Sequence, residues 1–315
     1  MNLDFFVVMT NLVELFSLIA VGYIAVKSGV ISPSASAPFS AILMKITLPC
    51  PIFISLAQKE YNPAFIHDSI IIIIAGLVGY TAMLYISRYL AVLLKVPQNC
   101  RGVWAFLCTF NNSGFMGFPI ALALLGTEGL ALSVVMNISY NMTVYTLGAF
   151  EIARDNPNHD TEKIDMKKII FSGINIALVL SLIVYFGRIH IPEMIAAPIS
   201  YLSGITTPIS MIIIGMALSR SHGLEVFKDI HAWSCTLIRL VVYPVIVCLL
   251  LRVMPLGSNP MVSATYIVIM AMPGASVTAV LCEMYHGNVD FAAKVMFLQN
   301  LFCIITIPLV CMLIA

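Results

Sequence analysis

The sequence predicts an all-α integral membrane protein of ten transmembrane helices, arranged as two inverted five-helix repeats in which helices 4 and 9 are broken and crossed. Three observations support this fold: an apolar composition, recurrent apolar runs, and two motifs that return in the second half. Of the 315 residues, 60% are apolar and 10% are charged, and the mean hydropathy is +1.00. Soluble chains carry about 25% charged residues, so we expect lipid around most of this protein.

Ten segments are apolar and about as long as the roughly 20 residues that a helix needs to cross a bilayer. They lie at about 5–26, 36–57, 68–93, 101–125, 129–150, 169–187, 195–218, 231–252, 261–284 and 292–314. The polar stretch "EIARDNPNHDTEKIDMKK" at 151–168 separates them into two sets of five. The predicted domains are therefore a first repeat at 1–150, a cytoplasmic loop at 151–168 and a second, inverted repeat at 169–315.

The lysines and arginines outside the spans predict the orientation, because cytoplasmic loops are enriched in them. Eleven fall on the side of the central loop: Lys27, Arg88, Lys95, Arg101, Arg154, Lys163, Lys167, Lys168, Arg220, Lys228 and Lys294. Only Lys59, Arg188 and Arg252 fall on the other side. We therefore expect a multi-pass protein of the cell membrane with both termini outside. The first ten residues lack a basic region, so we expect the first span to act as the targeting signal.

Two motifs indicate an internal repeat. The tetrapeptide Ile-Thr-x-Pro occurs in "ITLPCPIFISLA" (46–57) and again, 159 residues later, in "ITTPISMIIIGMA" (205–217). The helix-breaking runs "NNSGFMGFPIALALLG" (111–126) and "MPGASVTAVLCEMYHG" (272–287) lie 161 residues apart. Because five is an odd number, a second set of five spans crosses the membrane in the opposite sense.

Interrupted spans at matching positions of inverted repeats are typical of secondary transporters. A proline removes a helical N–H, and backbone groups left unpaired are tolerated in a membrane only inside protein or beside a water-filled cavity. The predicted helix-break or hinge residues are Pro49, Pro119, Pro208 and Pro273. The N-termini of the half-helices carry partial positive charge, which favours an anionic substrate.

With these motifs, the sequence resembles the auxin efflux carrier family, which includes plant carriers and bacterial dicarboxylate permease homologues. The run "NNSGFMGFP" (111–119) is similar to the family signature Asn-x-x-x-x-Met-Gly-x-Pro, and "LPCPIFIS" (48–55) to its proline-rich turn in span two. The stretches "YTLGAFE" (145–151) and "TIPL" (306–309) are similar to the ends of spans five and ten.

The resemblance covers nearly the whole chain except the central loop, which is long in many plant carriers and short here. It implies a fold like that of the bile-acid sodium symporters, with a scaffold domain and a transport domain that holds the crossed helices. One departure is "MPGAS" at 272–276, since family members often keep a polar residue at this break. The second half of the site is then expected to contribute mostly backbone groups.

Polar side chains and glycines near the two breaks are candidates for substrate binding. The set is Asn111, Asn112, Ser113, Gly114, Lys45, Ser55, Asn137, Asn141, Gly274, Ala275 and Ser276. The asparagines at 111 and 112 either contact the substrate or satisfy the backbone of the break. The Ser55 hydroxyl either reaches the site or bonds back to its own helix. Asn137 and Asn141 share one helix face, and hydrogen bonding between helices is their alternative role.

Two cations, Lys45 and Arg239, fall inside predicted spans. Charges within a membrane are functional candidates by default. Three functional roles are predicted for Lys45: it attracts a carboxylate, pairs with Glu14 of span one, or relays protons together with Glu14. In the alternative interpretation, Lys45 and Glu14 only neutralise each other's charge. Arg239 has no acidic residue nearby in sequence, so we assign it a structural role.

The function predicted from these observations is secondary active transport of a small organic anion, in particular a carboxylate, by alternating access. An anion channel and a non-transporting membrane receptor are the alternatives. The sequence has no Gly-x-Ser-x-Gly, phosphate loop or His-Glu-x-x-His, so no enzyme activity is expected. Cysteines and histidines lack metal-ligand spacing, so no cofactor is expected apart from H⁺ or Na⁺ as a coupling ion. The expected partners are the anion, the lipid bilayer and a second copy through the scaffold domain, and no nucleic acid.

Overall fold

The structure is a computed structural model that describes residues 5–154, 173–219 and 224–312. Most of the predicted cytoplasmic loop, with its three lysines, lies outside the described residues. Within them, regular structure is helical apart from one isolated bridge between Asn111 and Gly274. The prediction of an all-helical protein is confirmed for this part of the chain.

The helices are numbered in chain order. They are α1 (Phe5–Lys27), α2 (Ser36–Ala57), α3 (Pro63–Leu93), α4 (Arg101–Thr109), α5 (Ser113–Ala153), α6 (Gly173–Gly187), α7 (Glu193–Ser219), α8 (Ile230–Val253), α9 (Pro260–Met270), α10 (Thr278–Met284) and α11 (Val289–Met312). Among the described residues, seven helices are long and apolar enough to cross a membrane: α1, α2, α3, α5, α7, α8 and α11. This agrees with a multi-pass membrane protein, whereas the count of ten spans and the inverted repeat stay predictions.

Two helices begin at an Asn-Pro pair, for a local reason. Asn62 precedes α3 and its Oδ1 accepts from the backbone N–H of Ala64 at 2.9 Å, while Asn259 precedes α9 and accepts from Met261 at 3.0 Å. An asparagine in this position satisfies an N–H that has no partner inside the helix. The following proline needs no acceptor, since its nitrogen carries no hydrogen.

The 41-residue helix α5 is divided at Gly126. Its φ of 68° and ψ of −162° are not helical and favour glycine. At 1.5 Å per residue, an unbroken helix of this length would extend about 60 Å, twice the thickness of the hydrocarbon core. Gly126 lies between the predicted spans at 101–125 and 129–150.

The helix α7 continues through Pro208, so Pro208 does not break its helix, and its other predicted role, as a hinge, stays a prediction. A single proline removes only one helical N–H, and bonds on either side can hold the helix. In the preceding turn, the Thr206 hydroxyl donates to the carbonyls of Leu202 (3.2 Å) and Thr47 (2.8 Å). The second bond connects α7 to α2. In α2, Pro49 follows a π-helical segment, Leu43–Thr47.

The helices form two packing groups. In the first, α1 packs along α7, and the second half of α2 packs against α6 and α7. In the second, α3 packs on α4 and α5, α5 on α9, and α11 on α8 and α10. The groups meet where α2 and α7 contact α5 and where α1 and α7 contact α11.

The contact between α1 and α7 depends on glycine. A Cβ atom on Gly215 would lie 2.0 Å from the carbonyl oxygen of Ile19, and one on Gly22 would lie 2.2 Å from that of Ile212. We expect Gly215→Ala to force the helices apart and to lower the free energy of unfolding by about 1–3 kcal/mol. Gly204→Ala in the same helix is the control, because a Cβ there would meet nothing within 4 Å. Equal melting temperatures of the two variants in detergent would contradict this account of the contact.

Candidate functional site

Two helix breaks meet within the second packing group. One is at 110–112, between α4 and α5, and the other is at 271–277, between α9 and α10. They pair antiparallel at Asn111 and Gly274. The Asn112 N–H donates to the Pro273 carbonyl at 2.8 Å, and the Ala275 N–H donates to the Phe110 carbonyl at 3.0 Å. Each break therefore supplies hydrogen-bond partners for the backbone of the other. We call this arrangement the crossing.

The two prolines assigned to these breaks have different positions. Pro273 lies in the second break, where its carbonyl is one of the acceptors of the crossing. Pro119 lies inside α5, after a π-helical segment at Ser113–Gly117. The chain is broken at the two asparagines, eight and seven residues before Pro119, so Pro119 is not the residue that interrupts the helix. Hydrogen bonds made by Asn111 and Asn112 stabilise the extended segment instead.

Asn111 is fully buried and supports the crossing. Its Nδ2 donates to the carbonyl of Ile269, near the end of α9, at 2.8 Å. The Tyr80 hydroxyl of α3 lies 3.0 Å from Nδ2 and 3.2 Å from Oδ1. The side chain thus satisfies a carbonyl at the end of one half-helix and connects the crossing to α3.

Asn112 caps the start of α5. Its Oδ1 accepts from the backbone N–H of Phe115 at 3.3 Å, and its carbonyl accepts from Gly117 at 2.9 Å. The amide nitrogen Nδ2 makes no hydrogen bond to the residues that the structure describes. It is therefore a donor available at the N-terminus of α5.

Arg239 holds the C-terminal ends of both half-helices. It is fully buried on the π-helical segment Ile238–Val242 of α8. Its guanidinium donates to four backbone carbonyls, those of Met272 (2.9 Å), Thr109 (3.0 Å), Met270 (3.1 Å) and Cys108 (3.4 Å). Those of Cys108, Thr109 and Met270 lie at the ends of α4 and α9, where a helix carries partial negative charge, and that of Met272 lies in the second break. No carboxylate contacts the guanidinium within the described part of the chain.

Gln299 of α11 completes the crossing on the side of Gly274. Its Oε1 accepts from the Gly274 N–H at 2.7 Å. A Cβ atom on residue 274 would lie 2.3 Å from this oxygen, so the close approach requires glycine. Neither Gln299 nor Tyr80 is among the residues that the sequence predicts for the site.

Two parts of the crossing are partly exposed: Gly114 and Phe115 at the start of α5, and Ser276 and Val277 after the second break. A Cβ on Gly114 would meet only the Leu48 side chain, at 3.8 Å, so this end of α5 has room for at least a methyl group. The first N–H groups of a helix have no partner inside it. An opening beside such groups can accept an anion.

Comparison with known proteins identifies the family. A sequence model of the family described as membrane transport protein matches residues 7–311. The chain belongs to this family. It is the family of the auxin efflux carriers, so the resemblance carried by the sequence motifs is confirmed.

Two archaeal relatives extend this result. The chain is similar to an uncharacterised transporter of Methanocaldococcus jannaschii, with 25% identity over 300 residues that cover 93% of this chain and 94% of the relative. It is also similar to an uncharacterised transporter of Methanothermobacter thermautotrophicus, with 24% identity over 294 residues and 93% of each chain covered. The family and both relatives are described as transporters, and nothing in them indicates an enzyme.

The remaining candidates near the crossing of this family member have separate surroundings. The Ser113 hydroxyl donates to Asn137 Oδ1 at 3.3 Å, so Asn137 adjoins the crossing. Asn141 Nδ2 donates to Asn175 Oδ1 of α6 at 2.9 Å and therefore contacts the first packing group. Ala275 is buried and contributes its backbone N–H.

Three candidates are not brought to the crossing. Ser55 is buried, and its hydroxyl donates to the carbonyl of Ile52 at 2.9 Å, within its own helix. Lys45 and Glu14 are exposed and form no ion pair with each other in the described residues, so of the alternatives for Lys45 the pairing with Glu14 is wrong. The physical reason is packing: α1, which carries Glu14, lies along α7 rather than α2.

Proposed function

We propose that this chain is a secondary active transporter that moves a small organic anion, in particular a carboxylate, across the cell membrane by alternating access. The observation that carries the proposal is the antiparallel pairing of the two breaks at Asn111 and Gly274, next to the partly exposed start of α5. Interrupted helices that meet inside a membrane form the substrate sites of many secondary transporters.

The charge distribution at the crossing favours an anion. Arg239 compensates the partial negative charges at the ends of α4 and α9. The N-terminus of α5 carries a partial positive charge of about half an elementary charge. Asn112 Nδ2 and the backbone N–H groups of Ser113 and Gly114 are the donors there. A carboxylate at this point would accept from several of them at once.

The ten-span inverted repeat is part of the proposal. In this proposal, span four consists of α4 and the part of α5 before Gly126, and span five is the part of α5 after Gly126. Span nine consists of α9 and α10. The Thr206 hydroxyl contacts the Thr47 carbonyl, and these residues of the two Ile-Thr-x-Pro motifs are 159 positions apart. The same shift relates Tyr80 to Arg239, both of which contact the crossing. This correspondence supports a common origin of the two halves.

The two packing groups suggest the moving parts. We assign α1, α2, α6 and α7 to a scaffold, through which a second copy would bind, and the group that contains the crossing to a transport domain. The contacts of α2 and α7 with α5, and of α1 and α7 with α11, would then slide or rock as the site changes sides. Both termini lie outside the cell in this proposal.

Transport by the purified chain in liposomes tests the proposal. A thermal-shift screen with malonate, malate, other carboxylates and indole acids selects the ligand, and uptake of the labelled acid is then measured against protein-free liposomes. We expect saturable uptake and exchange of labelled for unlabelled acid. Ohmic unitary currents would identify a channel instead, and binding without flux would identify a receptor.

A further inference from the structure

We propose that Arg239 is a built-in replacement for a coupling cation, so that this chain transports its anion without Na⁺. The transport part of this inference rests on the proposed function. The cation-binding part does not, since it concerns only the occupancy of the crossing.

The position of the guanidinium is one that other transporters use for cations. Carbonyls of unwound backbone and of half-helix C-termini are typical Na⁺ ligands in secondary transporters with broken helices. In this chain, four such carbonyls from both breaks converge on one side chain, at 2.9–3.4 Å from its nitrogens. Arg239 is fully buried there, so its guanidinium fills the space between the two helix ends.

The charge of Arg239 matches that of the helix ends. Each C-terminus contributes about −0.5 elementary charge, so the two together are balanced by one guanidinium. An additional cation would face a like charge in surroundings that exclude water. Because an arginine side chain does not lose its proton in proteins, the site stays filled throughout a transport cycle.

The consequence is an asymmetry between the two sides of the crossing. The carbonyl side is neutralised by a fixed charge, whereas the start of α5 keeps its partial positive charge and its free donors. An anion can then bind at the start of α5 without a cation bound beside it.

Direct measurement of Na⁺ binding tests the inference in the purified full-length chain. The two readouts are ²²Na⁺ binding and melting temperature in NaCl compared with choline chloride at equal ionic strength. We expect no saturable ²²Na⁺ binding by the wild type and equal melting temperatures in the two salts. Saturable binding of one Na⁺ per chain would overturn the inference.

Variants of Arg239 separate a cation replacement from a purely structural role. Arg239→Gln removes the charge and leaves the carbonyls, so we expect it to melt at a higher temperature in NaCl than in choline chloride. Arg239→Lys keeps the charge, so we expect it to fold and to melt at the same temperature in both salts. It is the variant to measure if the glutamine variant does not fold. A glutamine variant that is indifferent to Na⁺, or a lysine variant that requires it, would overturn the inference.

Uptake of labelled malonate provides the transport measurement. We expect replacement of Na⁺ by choline on both sides of the liposome membrane to change the wild-type rate by less than about twofold. A fall of about tenfold or more would overturn the inference. Absence of malonate uptake in both salts would count against the proposed function with this substrate, while the ²²Na⁺ measurement would still decide the role of Arg239.

Discussion

Arg239→Met is expected to remove a large part of the free energy that stabilises the folded chain. Four backbone carbonyls lose their donor in a buried place that water does not reach. An unsatisfied buried polar group costs about 1–3 kcal/mol, so the free energy of unfolding should fall by about 4 kcal/mol or more. Total stabilities are about 5–15 kcal/mol. Methionine is suited to this test because it is long, flexible and apolar and provides no hydrogen-bond donor.

The measurement is the melting temperature and the yield of monodisperse protein in detergent, in choline chloride so that no small cation replaces the guanidinium. Lys45→Met is the matched control. It also removes a cation from a π-helical segment within a predicted span, but Lys45 is exposed. Surface substitutions of this kind usually change stability by about 0.5 kcal/mol or less. If both variants melted at the same temperature, the four carbonyl bonds of Arg239 would not be needed for the fold.

The contrast between these two cations shows what sequence can and cannot predict. Both stand out in sequence as charges inside apolar runs. Only the structure distinguishes them, because the partners of Arg239 are backbone carbonyls, which every residue possesses and no pattern marks. A search for acidic partners in the sequence therefore finds none for Arg239, although it has four backbone partners, and offers Glu14 for Lys45, although the two do not pair.

Long-range features were predictable where they depend on regular spacing. Apolar runs indicated the long helices, and Gly126 lies between two predicted spans. The two runs of helix breakers indicated which segments meet. Their register, Asn111 opposite Gly274, depends on close packing against Gln299 and could not be read from either run. The error at Pro208 is of the same kind, since the hydrogen bonds around that proline belong to the packing of α7 on α2.

Asn112→Asp is expected to leave the fold intact and to remove anion binding. Aspartate caps a helix as well as asparagine does, and a negative charge at a helix N-terminus is stabilising by about 0.3–1 kcal/mol. The same charge would stand beside the proposed anion. At about 4 Å and an effective dielectric constant of about 20, the repulsion is about 4 kcal/mol, so the affinity should fall by about a thousandfold. Loss of the Nδ2 donor adds to this effect.

Asn112→Ser separates the charge from the amide, because serine keeps the capping oxygen and adds no charge. We expect it to melt close to the wild type and to bind the acid found in the ligand screen about tenfold more weakly, since one hydrogen bond to a charged group is lost. Binding is measured by thermal shift and by displacement of the labelled acid. An aspartate variant with wild-type affinity would place the anion away from the start of α5. The partial positive charge of that helix end would then interact only with the capping oxygen of Asn112.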